Sequence, residues 1–401
     1  MDTNRLSVLH LTSAVGTSSF GLGAVVLELS RAQQRCGTNV TIWTNDDPIE
    51  EAAVRRHLGM PQTSLVTYPI LGPRRLSWSP RMERGAIVDE AADVDVLHHH
   101  AVWVACMRAS WFWHRRFRRP LVVAAHGALD PWALRRSRWK KWLASKAYAQ
   151  RLFGVAACLH ALGENELSAY RDFGLKNPVA VIPNGVSEEW LESRGEASAF
   201  RSQLGIPSDK RIMLYLSRVT PKKGLPLLFK AIAALRKQMT GWLLLIVGPD
   251  EFGHIRELEE LASALGIEPY LRFLGPVYGD RRRDAFAAAD VFVLPTYSEG
   301  NPIAVLEALG AGLPVLTTRG ASCAYLVEDG CGWWTDIGSE SIAEALDDVL
   351  RSSKDRLASM GARGREVVKK GLTWRAQAEK TVLLYRWLLG RAERPDFVIL
   401  D

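Results

Sequence analysis

The segment from Asp290 to Thr317 constrains the fold more than any other part of the chain. Val291 to Leu294 form an unbroken apolar run, the pattern of a parallel strand buried on both faces. A helix-like stretch, Ile303 to Gly310, follows, and then a second apolar run, Val315 to Thr317. Strand, helix and strand in that order make a βαβ unit, which requires a parallel sheet. Pro302 stands where the helix begins, since its missing N–H and fixed φ suit the first turn. Pro295 to Asn301 are then the loop at the carboxyl end of the first strand, the edge where open α/β sheets collect ligands. Glu299 lies on this loop, and Glu307, eight positions later, projects from the second turn of the helix. A carboxylate accepts hydrogen bonds from two neighbouring hydroxyls, so one glutamate can hold a ribose and the other a sugar ring. The turn Gly300, Asn301, Pro302, Ile303 offers a helix amino end to a phosphate. That combination suits a sugar nucleotide.

The same alternation recurs on both sides of this unit. Strands are expected at residues 7–11, 40–44, 94–98, 121–125, 158–161 and 179–182, with helices at 23–35, 82–92 and 132–153 between them. A second series begins with strand 212–216 and helix 225–236, and continues through strand 243–247, helix 251–265, strand 271–274 and helix 281–288. From Ser339 to Leu389 the pattern is amphipathic helix with no further strands. An α/β fold of two Rossmann-like domains facing across a cleft is the simplest architecture. Its expected division is 1–187 for the first domain, 188–208 for a polar linker, 209–373 for the second, and 374–401 for helices crossing back.

At 401 residues, two or three domains are the prior. No apolar run approaches bilayer length, and the amino terminus lacks the features of a secretion signal. Five scattered cysteines without metal spacing favour reduced thiols and a cytoplasmic location. Between Arg108 and Arg151, twelve basic residues face one acid, Asp130. They alternate with Trp111, Trp113, Trp132, Trp139 and Trp142, a pattern suited to an anionic membrane surface and hence to a peripheral position on it. No nucleic-acid recognition motif accompanies the charge.

Other segments carry candidate chemistry. Ser217 to Gly224 places Arg218 and Lys223 around a proline turn at a helix amino end, which can neutralise a diphosphate without a metal. Gly16 to Gly23 is a glycine turn after the first strand; Gly21 and Gly23 let backbone approach a phosphate, although the dinucleotide fingerprint is incomplete. His98 and His100 share one face of the third strand, while His99 points to the other. His126, beside Gly127 at the next strand end, is the histidine best placed for function, either orienting an acceptor hydroxyl or hydrogen-bonding a transferring group. Asp93-Val-Asp95 has a metal-diphosphate spacing, but Asp93 reads as a helix end and metal binding is not expected there.

Taken together, these residues resemble the retaining family-4 glycosyltransferases of GT-B fold. Glu299-x7-Glu307 matches the paired-glutamate motif, and Ser217-Arg218…Lys223-Gly224 the diphosphate-binding element. His98-x-His100-x-x-Trp103, His126-Gly127 and Ile182-Pro-Asn-Gly185 are further landmarks, although Phe20 stands where the family has its first loop glycine. The segment Ala125 to Leu134 is similar to transferases of bacterial polysaccharide assembly. The resemblance implies a hexose donor carried on UDP or GDP, with no cofactor and no metal. It also implies a saccharide or lipid-diphosphate-linked acceptor. Donor contacts would come from Gly21, Gly23, Arg218, Lys223, Glu299, Gly300, Asn301, Pro302, Ile303 and Glu307. In this scheme Glu307 takes the ribose, Glu299 the donor sugar, and Arg218 and Lys223 the departing diphosphate. His98, His100 and His126 would face the acceptor, with His126, Arg218, Lys223 and Glu299 acting in catalysis. Residues 275–278 are candidates for the base. A sugar-nucleotide 2-epimerase, a nicotinamide dehydrogenase and a non-catalytic nucleotide-binding protein are the competing readings.

Overall fold

The structure is a computed structural model that describes residues 5–16, 21–45, 64–88, 91–135, 137–192 and 195–400. It divides into two compact units, one of residues 1–185 with 374–401, the other of residues 186–373.

The first unit is built on an eight-stranded sheet. Its strands are β1 (Ser7–Leu11), β2 (Asn39–Thr44), β3 (Ser64–Thr67), β4 (Val96–His100), β5 (Leu121–Ala124), β6 (Cys158–Ala161) and β7 (Val179–Val181), closed by the terminal strand Val398–Ile399. The order is Val398–Ile399, β7, β6, β5, β4, β1, β2, β3, so the winding reverses between β4 and β1. All pairings are parallel except that of Val398–Ile399 with β7.

Strand alternation assigns the two faces. Leu9, Leu97, Leu121, Val123 and Leu159 pack with Trp113 and Phe153 in one core layer. Val8, Val96, Val122, Cys158 and Ala180 pack with Tyr385 in the other. His10, His98, His100 and His160 have the same parity as this second set, so they lie under helix Trp374–Leu388, which packs on helix Gly21–Arg35.

In the second unit six parallel strands lie in the order β10, β9, β8, β11, β12, β13. They are β8 (Arg211–Leu216), β9 (Trp242–Val247), β10 (Leu271–Gly275), β11 (Val291–Leu294), β12 (Val315–Thr318) and β13 (Gly332–Thr335). Here the order reverses between β8 and β11. A single large apolar core fills this unit.

Several expectations need correction. β4 starts at Val96, two residues later than expected, because Asp95 is taken by capping: its carboxylate accepts the Ser7 N–H at 2.9 Å. Strands Ser64–Thr67, Gly332–Thr335 and Val398–Ile399 were not legible; all three are short edge strands. The expected helix 82–92 is confined to Pro80–Gly85, and a helix at Met107–Phe117 was missed. Helix 132–153 is interrupted: Ser137 is left-handed at φ 53°, and Ser145–Ala149 form a wider π turn. The polar stretch 188–208 is not a bare linker. It contains helix Ala197–Gln203, whose Phe200 joins Ile206 in the second core. Among the described residues, no helix is long and apolar enough to cross a membrane.

Candidate active site

Adjacent strands β8 and β11 pair through Met213 and Val291, so the loops that follow them leave the sheet side by side. This is the switch point, where the two connections diverge and open a crevice. The Tyr297 N–H donates to the Lys222 carbonyl at 2.9 Å, tying the loops together. Gly224 has φ 71°, and a Cβ there would meet the Pro295 carbonyl oxygen at 1.8 Å. Only glycine permits this approach. A third segment buttresses the arrangement: the Glu299 N–H donates to the Gly320 carbonyl at 2.6 Å, and the Ser322 N–H to the Gly300 carbonyl at 3.0 Å.

Within this frame the buried Lys223 ammonium lies 2.6 Å from the Glu299 carboxylate. Burial pushes the Lys223 pKa down, and Glu299 only partly offsets it. Burial would likewise raise Glu299, but the Lys223 charge, then Lys222, the Lys223 hydrogen bond and Arg218, hold its carboxyl below the ordinary range. Arg218 hydrogen-bonds both carboxylate oxygens of Glu251, at 2.8 and 3.0 Å. The two cations expected to meet a diphosphate are therefore engaged by carboxylates, and Glu251 is a partner that sequence spacing did not reveal.

Glu307 is buried on helix Ile303–Gly310 and paired with Arg282. Burial raises it to about 7 although the Arg282 charge opposes the shift. Pro302 (φ −73°, ψ 122°) is the last extended residue before that helix, and Ser298 and Asn301 are buried beneath the turn. The chain thus gathers Arg218, Lys223, Glu299, Gly300, Asn301, Pro302, Ile303 and Glu307 at one sheet edge. Residues 275–278 run from the last residue of β10, two strands from β8.

In the first unit, His98 and His100 are corrected. Both are fully buried and stacked on each other at 4.2 Å, so neither reaches an acceptor. His98 Nδ1 lies 2.7 Å from the Tyr385 hydroxyl, and His100 Nδ1 lies 3.0 Å from His126 Nε2. His126 itself is half-buried. It occupies a tight turn in which His126 (φ 51°) and Gly127 (φ 73°) are both left-handed and the Ala128 N–H returns to the Ala125 carbonyl at 3.1 Å. Glu166, missed in the sequence because it sits 40 positions away on helix Glu164–Asp172, holds this turn. Its carboxylate accepts the Gly127 N–H at 2.7 Å and the Leu162 N–H at 2.8 Å. Gly21 begins helix Gly21–Arg35, with Gly23 buried in its first turn. Residues 17–20 of the glycine turn, including Phe20, lie outside the described residues.

The basic, tryptophan-rich stretch is only partly a surface. Trp113 is core, donating its indole N–H to the Ala91 carbonyl, and Trp111 lies between Arg115 and Arg151. Trp139 and Trp142 are 65% and 61% exposed on helix Arg138–Ala144, with Leu143 beside them.

Residues 196–367 match the family described as Glycosyl transferases group 1, and residues 21–190 match Glycosyltransferase Family 4. The D-inositol 3-phosphate glycosyltransferase of Kineococcus radiotolerans is 26% identical over 397 residues, covering 91% of this chain and 90% of that protein. The GDP-mannose:cellobiosyl-diphosphopolyprenol alpha-mannosyltransferase of Komagataeibacter xylinus is 26% identical over 406 residues, covering 96% and 94%. Among solved structures, Anabaena Alr3699/HepE in complex with UDP and glucose superposes with a TM-score of 0.74 at 19% identity, covering 94% of this chain and 98% of that one.

Proposed function

The chain belongs to the family-4 glycosyltransferases of GT-B fold, and from that premise we propose that it transfers a hexose from a UDP- or GDP-sugar, with retention of configuration, to a saccharide or lipid-linked acceptor. The observation that carries this reading is the convergence of Arg218, Lys223, Glu299 and the start of helix Ile303–Gly310 at the reversal point of the second sheet.

As the bond to the diphosphate breaks, negative charge grows on the leaving group and positive charge on the anomeric carbon. Lys223, Arg218 and the helix amino end sit where they stabilise the former, each such donor contributing roughly 3–4 kcal/mol in a dry site. In this reading the diphosphate draws Lys223 and Arg218 from their carboxylate partners, which frees Glu299 to accept hydrogen bonds from donor-sugar hydroxyls. Glu307 accepts both ribose hydroxyls. The leaving diphosphate receives the acceptor proton on the same face of the sugar, which preserves configuration. No metal is required for this charge balance.

A lipid-linked acceptor is supported by the exposed Trp139, Trp142 and Leu143 among Arg138, Lys140 and Lys141. It is also supported by the polyprenol-linked substrate in the Komagataeibacter relative's name. This face would sit on an anionic membrane surface. Polysaccharide assembly is the setting that joins these features.

The test is to incubate purified protein with UDP- and GDP-hexoses and a panel of saccharide and lipid-diphosphate acceptors, and to read the anomeric coupling of the product. A product of inverted configuration removes the retaining mechanism. Turnover of the donor to an epimer without acceptor replaces transfer by epimerisation.

A further inference from the structure

Five histidines and a glutamine beneath helix Trp374–Leu388, with Tyr385 of that helix, form one continuous hydrogen-bonded chain inside the first unit. Its direction can be read from its fixed ends, because a carbonyl only accepts. His160 Nε2 lies 2.8 Å from the Ile182 carbonyl, so that nitrogen carries the proton and Nδ1 does not. Nδ1 of His160 then accepts from His98 Nε2 at 3.3 Å, and His98 Nδ1 accepts from the Tyr385 hydroxyl at 2.7 Å.

The second anchor is Thr381. Its hydroxyl donates to the Ala378 carbonyl at 2.9 Å, so it can only accept from Gln33 Nε2, also at 2.9 Å. This orients the Gln33 amide and turns its Oε1 toward His10. His10 Nε2, 2.7 Å away, must donate to it. His10 Nδ1 therefore accepts from His100 Nε2 at 2.8 Å, and His100 Nδ1 accepts from His126 Nε2 at 3.0 Å. Every ring is neutral with its proton on Nε2. The nitrogen of His126 left without a proton is Nδ1, and His126 is the one member of the chain that is not fully buried.

We propose that Gln33, His10 and His100 are a positioning relay that fixes the His126 proton on Nε2 and so presents Nδ1 as a hydrogen-bond acceptor for a hydroxyl of the saccharide acceptor. The inference rests on the transferase reading for its substrate, and on the hydrogen-bond geometry alone for the relay. Burial lowers His10 and His160 to about 4 and His126 to about 3, which keeps the chain uncharged at neutral pH. A metal held by His10, His98 and His100, whose nitrogens approach within 4.8 Å, would have to displace these bonds, since each ring nitrogen of the three already has a protein partner.

Two-bond proton–nitrogen spectra of the full chain labelled with ¹⁵N-histidine distinguish the tautomers directly. His126 is assigned by difference with His126→Gln. In the wild type at pH 7.5, His126 is expected as the pure Nε2–H form. A proton on Nδ1, or on both nitrogens, overturns the proposal without any variant. Gln33→Met removes the acceptor for the His10 N–H. A buried N–H without a partner costs more than a buried lone pair, so His10, His100 and His126 should reverse. His126 then shows Nδ1–H signal, and the KM for acceptor rises about tenfold, the scale of one hydrogen bond, with the KM for donor unchanged. Tyr385→Phe is expected to leave the His126 signal untouched, because Thr381 alone pins the Gln33 amide. A pure Nε2–H form surviving in Gln33→Met sinks the relay, and a reversed tautomer with unchanged acceptor KM sinks its link to the substrate. Expected spectra from a wild type that transfers to no saccharide would instead remove the transferase reading while the relay stood.

Discussion

Lys223 and Glu299, side chains expected to serve opposite ends of one ligand, hold each other at 2.6 Å across two loops. The pair, 76 residues apart in sequence, is drawn together by the adjacency of β8 and β11 and by the contact of Gly224 with Pro295. Removing Glu299 leaves the buried Lys223 charge without its carboxylate, and removing Lys223 leaves the part-buried Glu299 only the weaker influence of Lys222 and Arg218. We expect Lys223→Met and Glu299→Gln each to cost about 3 kcal/mol, in the range for breaking a buried pair, and the double variant to recover most of it. Urea denaturation reads the cycle, and additive losses would show the two charges to be independent. Activity should not return with stability, since the diphosphate and sugar contacts are gone.

Glu307 gives a pH dependence. Its folded pKa is raised to about 7, so below that pH the carboxyl is protonated and cannot accept both ribose hydroxyls. Affinity for a sugar nucleotide, whose diphosphate diester does not titrate in this range, should therefore rise with pH through about 7. Arg282→Gln removes the charge that opposes the shift, so the midpoint should move upward. Calorimetric titration from pH 6 to 8.5, a range spanning roughly a unit or more on each side of the transition, checks both. A flat profile would mean that ribose binding does not use the ionised group.

Gly224→Ala is expected to be severe. The left-handed backbone costs roughly 1–2 kcal/mol for an L residue, and the added Cβ forces loops apart at a further cost of roughly 1–3 kcal/mol. Because the displaced atom is the Pro295 carbonyl, the Lys223–Glu299 geometry moves with it. Loss of donor binding beyond the loss of stability is the expected signature. A variant with wild-type donor affinity would show that this contact does not shape the site.

Acid should unfold the first unit from its histidines. His10, His99 and His160 are lowered to about 4, and His98 and His100 also lie well below the ordinary 6.5, all chiefly by burial. The unfolded chain takes up these protons as pH drops below 6.5 while the folded chain refuses them. Their contribution is therefore complete above 6.5 and is lost as pH falls toward about 4, with a slope of about 1.4 kcal/mol per pH unit for each imidazole. Glu307 has the opposite sign, stabilising the folded state as pH falls from about 7 to its unfolded value of 4.5, but it is one group against these five and His126. Denaturant midpoints that stay constant from pH 6.5 to 4.5 would contradict the buried neutral state.

Binding to anionic vesicles should depend on helix Arg138–Ala144. Each basic residue near such a surface contributes about 1 kcal/mol, so neutralising Arg138, Lys140 and Lys141 together should weaken partitioning more than a hundredfold, as three such contributions imply. Trp139→Ala should weaken it independently of salt. Activity on a soluble acceptor is expected to persist in both. Unchanged partitioning on sedimentation would return this helix to an ordinary solvated face.

Local pattern determined much of this protein. The second unit was legible almost element by element, because its central strands are mostly apolar runs buried on both faces and its loops carry proline and glycine at turns. The parity that separates His99 from His98 and His100 followed from the pleat alone, and strand–loop–helix order put Glu299, Glu307, Arg218 and Lys223 at strand ends of one unit, while the pairing of β8 with β11 that brings them together came from the fold. Edge strands such as Ser64–Thr67 and Gly332–Thr335 were not legible, since a strand paired on one side needs no strong apolar signature. Partnership was decided only in three dimensions. Glu251 for Arg218, Arg282 for Glu307, Glu166 beneath Gly127, and Tyr385 and Gln33 among the histidines all come from segments that sequence distance keeps apart. Alternation and capping are properties of neighbouring residues, whereas the protonation of a buried group depends on whatever the fold packs against it.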